Sequence, residues 1–165
     1  MKKILLILAS ILFFSTVLHA SAPKNIYNND RALLGVTESK AYFDVTIGDP
    51  KQLLIRLQLI EKTYNQLLAA GVTPSFIVGI RGKASNFITK GSDYVLDIDL
   101  PEKRQIAAIV KKLKTLRIGV EQCYIAAGFQ EIDVADFLPE VDLVANGYVS
   151  LIGYHSQGYG LVPMD

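Results

Sequence analysis

The sequence predicts an α/β domain in which a mainly parallel sheet of about five strands carries helices on both faces. Three observations lead there. Short apolar runs alternate with longer stretches of helical period, the pattern of successive βαβ crossovers. Residues 76–80 are wholly apolar, as expected of a central strand covered on both faces of a parallel sheet. Glycine, proline and aspartate stand at the boundaries between runs, where turns and helix caps need them.

Residues 23–39 are polar and rich in turn formers (Asn25, Asn28, Asn29, Asp30), which reads as an arm leading into a domain at 40–165. The first strand is expected over 40–47, with Phe43, Val45 and Ile47 on one face and Gly48 at its end. Asp49 and Pro50 suit the N-cap and first position of a helix in which Leu53, Leu57, Ile60, Tyr64 and Leu67 recur until Gly71. Residues 76–80, bounded by Pro74 and Gly82, give the second strand, and a brief helical piece covers 84–89. Asp99 and Glu102 have the spacing of a capping box for a second long helix, with Ile106, Ile109, Val110, Leu113 and Leu116 as its apolar face. Lys103, Arg104, Lys111, Lys112 and Lys114 read as its solvated side. Further strands are expected over 120–124, 141–145 and 161–163, with short helical stretches near 125–130 and from Gly147.

The first residues have a different purpose. Lys2 and Lys3, an apolar run over 4–18 and small residues at Ala20, Ser21 and Ala22 follow the order of a cleavable secretory signal over 1–22. The run is shorter than the roughly twenty residues a membrane-spanning helix needs, so no stable membrane insertion is expected after cleavage. The mature chain is expected to be periplasmic or secreted. Removing Lys2 and Lys3 leaves 15 basic against 16 acidic residues, which gives no electrostatic basis for binding nucleic acid. Cys123 is the only cysteine, so an internal disulfide is excluded and the thiol is either buried and inert or used.

In a parallel sheet the strands all end at one edge, and ligand sites form in the crevices outside their carboxyl ends. That edge gathers Gly48, Asp49, Arg81, Gly82, Lys83, Cys123, Asn146 and Gly147. Cys123 lies at a strand end just before a helical segment, where unpaired N–H groups and a cation such as Arg81 or Lys83 favour a thiolate. The competing reading is a small buried hydrophobe. The segment 79–85 lacks the glycine spacing and the hydroxyl of a phosphate loop, which leaves Gly82 as the pivot of a tight turn. With His155 the one histidine beyond the leader, no calcium loop and no serine elbow, no metal or cofactor is expected. Asp133, Asp136, Glu140 and Asp142 read as a solvated face with helix caps. Tyr148, Leu151, Ile152, Tyr154 and Tyr159 form a cluster suited chiefly to core packing and partly to a subunit interface.

The stretch from Lys40, Ala41, Tyr42, Phe43 and Asp44 to Gly48, Asp49 and Pro50, the strand end Ile80, Arg81 and Gly82, the segment 119–123 ending in Cys123, and the tail from Asn146 and Gly147 to Gly158 and Tyr159 resemble exported DsrE/DsrF-like proteins. The resemblance spans nearly all of the mature chain. It implies a three-layer α/β/α domain, homo-oligomers such as trimers or hexamers, and a place in sulfur relay with a sulfur donor or acceptor protein. It further implies that Cys123, in the loop after a central strand, carries sulfur as a persulfide. Two readings follow. In one, Cys123 accepts sulfane sulfur, Arg81 or Lys83 stabilises its charge, and Asn146 and Gly147 complete the pocket. In the other, the chain is a non-enzymatic oligomeric module that binds a small ligand or partner, with Cys123 structural. Thiol–disulfide exchange ranks behind both because it needs a paired cysteine.

Overall fold

The computed structural model describes residues 27–165; the expected leader, 1–22, and the start of the arm, 23–26, lie outside them. The described residues fall into two units, one ending at Leu34 and the other running Gly35–Asp165. In the described part of the first, the carbonyl of Asn29 accepts from the N–H groups of Ala32 and Leu33 at 2.9 and 3.0 Å, which makes a single turn.

The second unit runs β1 (Glu38–Val45), α1 (Pro50–Ala69), β2 (Thr73–Ile80), a 3-10 segment (Gly82–Ile88), a 3-10 turn (Asp97–Asp99), α2 (Leu100–Thr115), β3 (Gly119–Cys123), α3 (Tyr124–Phe129), a 3-10 turn (Val134–Asp136), β4 (Asp142–Val144), α4 (Gly147–Ser156) and β5 (Gly160–Met164). The strands form one sheet in the order β4-β3-β2-β1-β5 with every neighbouring pair parallel. The chain steps from β1 through β2 and β3 to β4, and α4 then carries it back across the sheet to β5. Right-handed crossovers put a returning connection on the opposite face. Hence α1 and α2 share one face, α4 lies on the other, and the domain is a three-layer α/β/α sandwich. Among the described residues no helix is long and apolar enough to cross a membrane.

The α1/α2 face is the hydrophobic core. Alternate residues of the central strands, Ala41, Phe43, Val45, Phe76, Val78, Ile80 and Val120, meet Leu53, Leu57 and Ile60 of α1 and Ile106, Val110 and Leu113 of α2. The Phe76 ring meets Phe43 edge-on at 4.9 Å and Tyr64 at 5.5 Å. Asp49 caps α1 by accepting from the Gln52 N–H at 2.8 Å, and Gly71, at φ +78°, turns the chain out of it. Both β1 and β2 begin earlier than their apolar runs suggest, because pairing extends back to Glu38 and Thr73. Pro74 thus lies in the second position of β2 instead of ahead of it.

Three expectations are corrected. Asp99 does not cap α2: the preceding 3-10 turn already holds it in helical conformation, and its side chain makes no capping bond. Lys103 is not on the solvated side of α2 but only 4 % exposed, since its ammonium reaches the carbonyl of Asn86 at 2.9 Å and the hydroxyl of Thr89. The cluster of Tyr148, Leu151, Ile152, Tyr154 and Tyr159 does not enter the buried core. A single ten-residue helix covers that face of the sheet, which leaves Tyr148 and Ile152 outside and the others half-buried.

Candidate functional site

Side-chain alternation turns a second set of strand residues toward α4, and this set holds polar groups beside apolar ones such as Ile77 and Leu161. Tyr42 and Asp44 come from β1, Gly79 from β2, with Arg81 just beyond its end, and Glu121 and Cys123 from β3. Asp44 takes the guanidinium of Arg81 in a two-pronged ion pair, Nε to Oδ1 at 2.8 Å and Nη2 to Oδ2 at 2.6 Å. Arg81 also donates to the Tyr148 hydroxyl at 3.0 Å, and the bond to Asp44 raises its pKa further. Tyr154 donates to Glu121 Oε1 at 2.6 Å, while Glu121 Oε2 is buried without a partner among the described residues. The Tyr42 ring packs 5.6 Å from that of Tyr154 and its hydroxyl passes over Gly79, where an added Cβ would stand 1.8 Å from the oxygen. Burial, and then the neighbouring charges of Glu121 and Asp44, push the Tyr42 hydroxyl up to about 12. Burial and the bond to Glu121 raise Tyr154 as well.

Cys123 closes this layer at the carboxyl end of β3. Its sulfur accepts a hydrogen bond from the backbone N–H of Gly147 at 3.2 Å. Gly147 is the first residue of α4, so the donor is one of the amides a helix leaves unpaired at its start. The next amide, that of Tyr148, is capped by the Asn146 side chain at 2.9 Å. Gly147 permits this approach: a Cβ there would lie 3.1 Å from Cys123 Cβ and 3.5 Å from its sulfur. The sulfur's donor therefore comes from α4. The six-residue α3 that follows Cys123, expected to supply it, makes no capping bond to the side chain.

A cavity of about 270 Å³ opens beside the sulfur, lined on its polar side by Arg81, Gln130 and Asn146 and on its apolar side by Ile125, Phe129 and Tyr148. Cys123 lines it while being only 5 % exposed, so the exposed thiol that the carrier reading calls for is replaced by a recessed one. Of the five site residues expected from sequence, Cys123, Arg81, Asn146 and Gly147 come together here. Lys83 does not line the cavity; its stem lies along Gly48, within 2.8 Å of where a Cβ on that glycine would be. Gly82 has the left-handed conformation, φ +61°, that the turn after β2 requires.

Sequence reasoning left Asp44, Tyr42, Glu121 and Tyr154 out of the site. Tyr42, Asp44 and Glu121 leave a trace, polar residues at alternate positions of β1 and at the centre of β3; Tyr154, on α4, leaves none of that kind.

No family model matches the chain. An uncharacterized protein of Aquifex aeolicus is 32 % identical over 133 residues, covering 75 % of this chain and 55 % of that protein, so the chain spans about half the length of that curated relative. A solved structure of a protein of unknown function from Methanobacterium thermoautotrophicum superposes with a TM-score of 0.59 at 16 % identity, over 77 % of this chain and 98 % of that one. The second likeness is one of fold alone, that of an α/β domain.

Proposed function

We propose that the chain is an exported DsrE/DsrF-like sulfur carrier in which Cys123 takes up sulfane sulfur as a persulfide. The observation that supports this most is the sulfur of Cys123 facing the Gly147 N–H at 3.2 Å beside a cavity of about 270 Å³. An amide at the start of a ten-residue helix is a donor for a charged sulfur, and the aligned peptide dipoles favour negative charge there. In the reaction the Cys123 thiolate attacks the sulfane sulfur of a donor persulfide. The new S–S bond forms as the donor's S–S bond breaks, its electron pair leaving on the donor thiolate; no outside oxidant enters. Asp44 neutralises Arg81, so the guanidinium orients Tyr148 and shapes the cavity wall more than it supplies free positive charge.

The apolar rim favours the second reading, an oligomeric binding module. Phe129 is 81 % and Ile152 63 % exposed, and Tyr124, Tyr148 and Val149 stand out beside them on α3 and α4. A homo-oligomer such as a trimer or hexamer would cover this rim, and a sulfur donor or acceptor protein would meet it. The two readings part in one experiment: intact mass of the mature protein and of Cys123→Ala after exposure to polysulfide, with a reductant chase. The carrier reading expects a reducible gain of one sulfur that requires Cys123. No adduct on the folded protein would leave the binding module.

A further inference from the structure

Another cavity, of about 220 Å³, lies between α2 and the loop after the first 3-10 segment. Its wall brings together Lys90, Lys103 and Arg104, with the hydroxyls of Thr89 and Ser92 and an apolar floor that includes Leu138. The ammonium of Lys103 is buried, and its acceptors are a carbonyl and a hydroxyl, those of Asn86 and Thr89. Lys90 gives its ammonium to another carbonyl, that of Ala135, at 2.9 Å. Among the described residues none of these three cations is in an ion pair, whereas Arg81, Lys112 and Lys114 each hold a carboxylate within 2.9 Å. Among the described residues no acidic side chain lines the cavity.

Buried charge is ordinarily met by an opposite charge, because taking an ion out of water costs several kcal/mol. Burial drives the Lys103 pKa down to about 8, and the nearby Asp93 offsets only part of that. Three positive groups around one recess, one of them buried and none paired, leave a site lacking its counter-charge. We propose that this cavity binds a small oxyanion, held by Lys103 from below and by Lys90 and Arg104 at the mouth. A volume of about 220 Å³ accommodates a tetrahedral ion or a short carboxylate. The inference stands apart from the sulfur reading, since it uses no residue of the Cys123 cavity.

The test is calorimetric titration of the purified protein with inorganic phosphate at low ionic strength, with Arg104→Gln, Lys90→Gln and Lys103→Gln beside it. Lys111→Gln, which removes an exposed charge from the same helix away from the cavity, serves as control. Saturable binding at one site per chain is expected, weakened about tenfold or more in Arg104→Gln and in Lys90→Gln, as loss of a charge-assisted hydrogen bond implies, and unchanged in Lys111→Gln. Both mouth residues are exposed, so the result does not depend on whether Lys103→Gln folds. Absence of saturable phosphate binding, or an equal loss in Lys111→Gln, would overturn the proposal.

Discussion

The two faces of the sheet are built on opposite principles. Against α1 and α2 the buried strand residues are apolar but for Gln122, which bonds Ser85, and the layer closes chiefly by area: Leu53, Leu57, Ile60, Ile106 and Leu113 are wholly buried. Against α4, the strands present Tyr42, Asp44, Glu121 and Cys123, and the layer closes by specific bonds to Arg81, Tyr154 and Gly147. Two long helices cover the first face and one short helix the second. The difference teaches where chemistry can sit. Side chains in an apolar core are interchangeable within limits of volume, whereas a half-covered polar face holds a sulfur and its donor at fixed distance and keeps a cavity open beside them.

The largest effect that would sharpen this contrast is at Gly79. Its added Cβ would occupy the space of the Tyr42 hydroxyl, and Tyr42, at 3 % exposed, has nowhere to move. Gly79→Ala should cost about 3 kcal/mol by chemical denaturation, the upper end for overpacking; a loss below about 1 kcal/mol would mean that the polar face is loosely packed.

Alkaline stability gives the next effect. The folded Tyr42 hydroxyl keeps its proton to about 12, against 10.0 for an ordinary tyrosine. A raised pKa of this kind contributes stability that is whole below the unfolded value and is lost as pH rises from 10 toward 12, on the order of 2–3 kcal/mol for two units. Tyr154 acts in the same direction. Tyr42→Phe should therefore flatten the decline in melting temperature over that range, and an unchanged slope would remove Tyr42 from the buried network.

The smallest effect lies on the outer side of α4. Gly153 is inside the helix with nothing within 4 Å of an added Cβ, so Gly153→Ala should raise the stability of the isolated subunit by about 0.5–1 kcal/mol through backbone entropy. A loss instead, greater at higher protein concentration, would mean that another subunit packs there.

Much of the architecture was legible because its cause is local. The cap at Asp49, the period of Leu53, Leu57 and Ile60, and the apolar run in β2 each act within a few residues. What was missed depends on contacts distant in sequence. Lys103 looks like any lysine on a basic helix side until the 3-10 segment bearing Asn86 and Thr89 folds over it. Asp44 and Arg81 are 37 residues apart, and only the parallel register that sets Val45 beside Ile80 brings them into contact. The gathering of Cys123, Asn146 and Gly147 followed from the rule that parallel strands end at one edge, but the choice of α4 over α3 as the sulfur's donor is a matter of tertiary approach at a single glycine.

The most direct measurement is the rate at which a small uncharged alkylating reagent labels Cys123 in the folded protein, compared with the rate of global unfolding under the same conditions. A sulfur lining the α4-side cavity should react much faster than the chain unfolds, and more slowly with a reagent too large for about 270 Å³. Labelling no faster than unfolding would make Cys123 a buried structural residue and contradict the carrier reading.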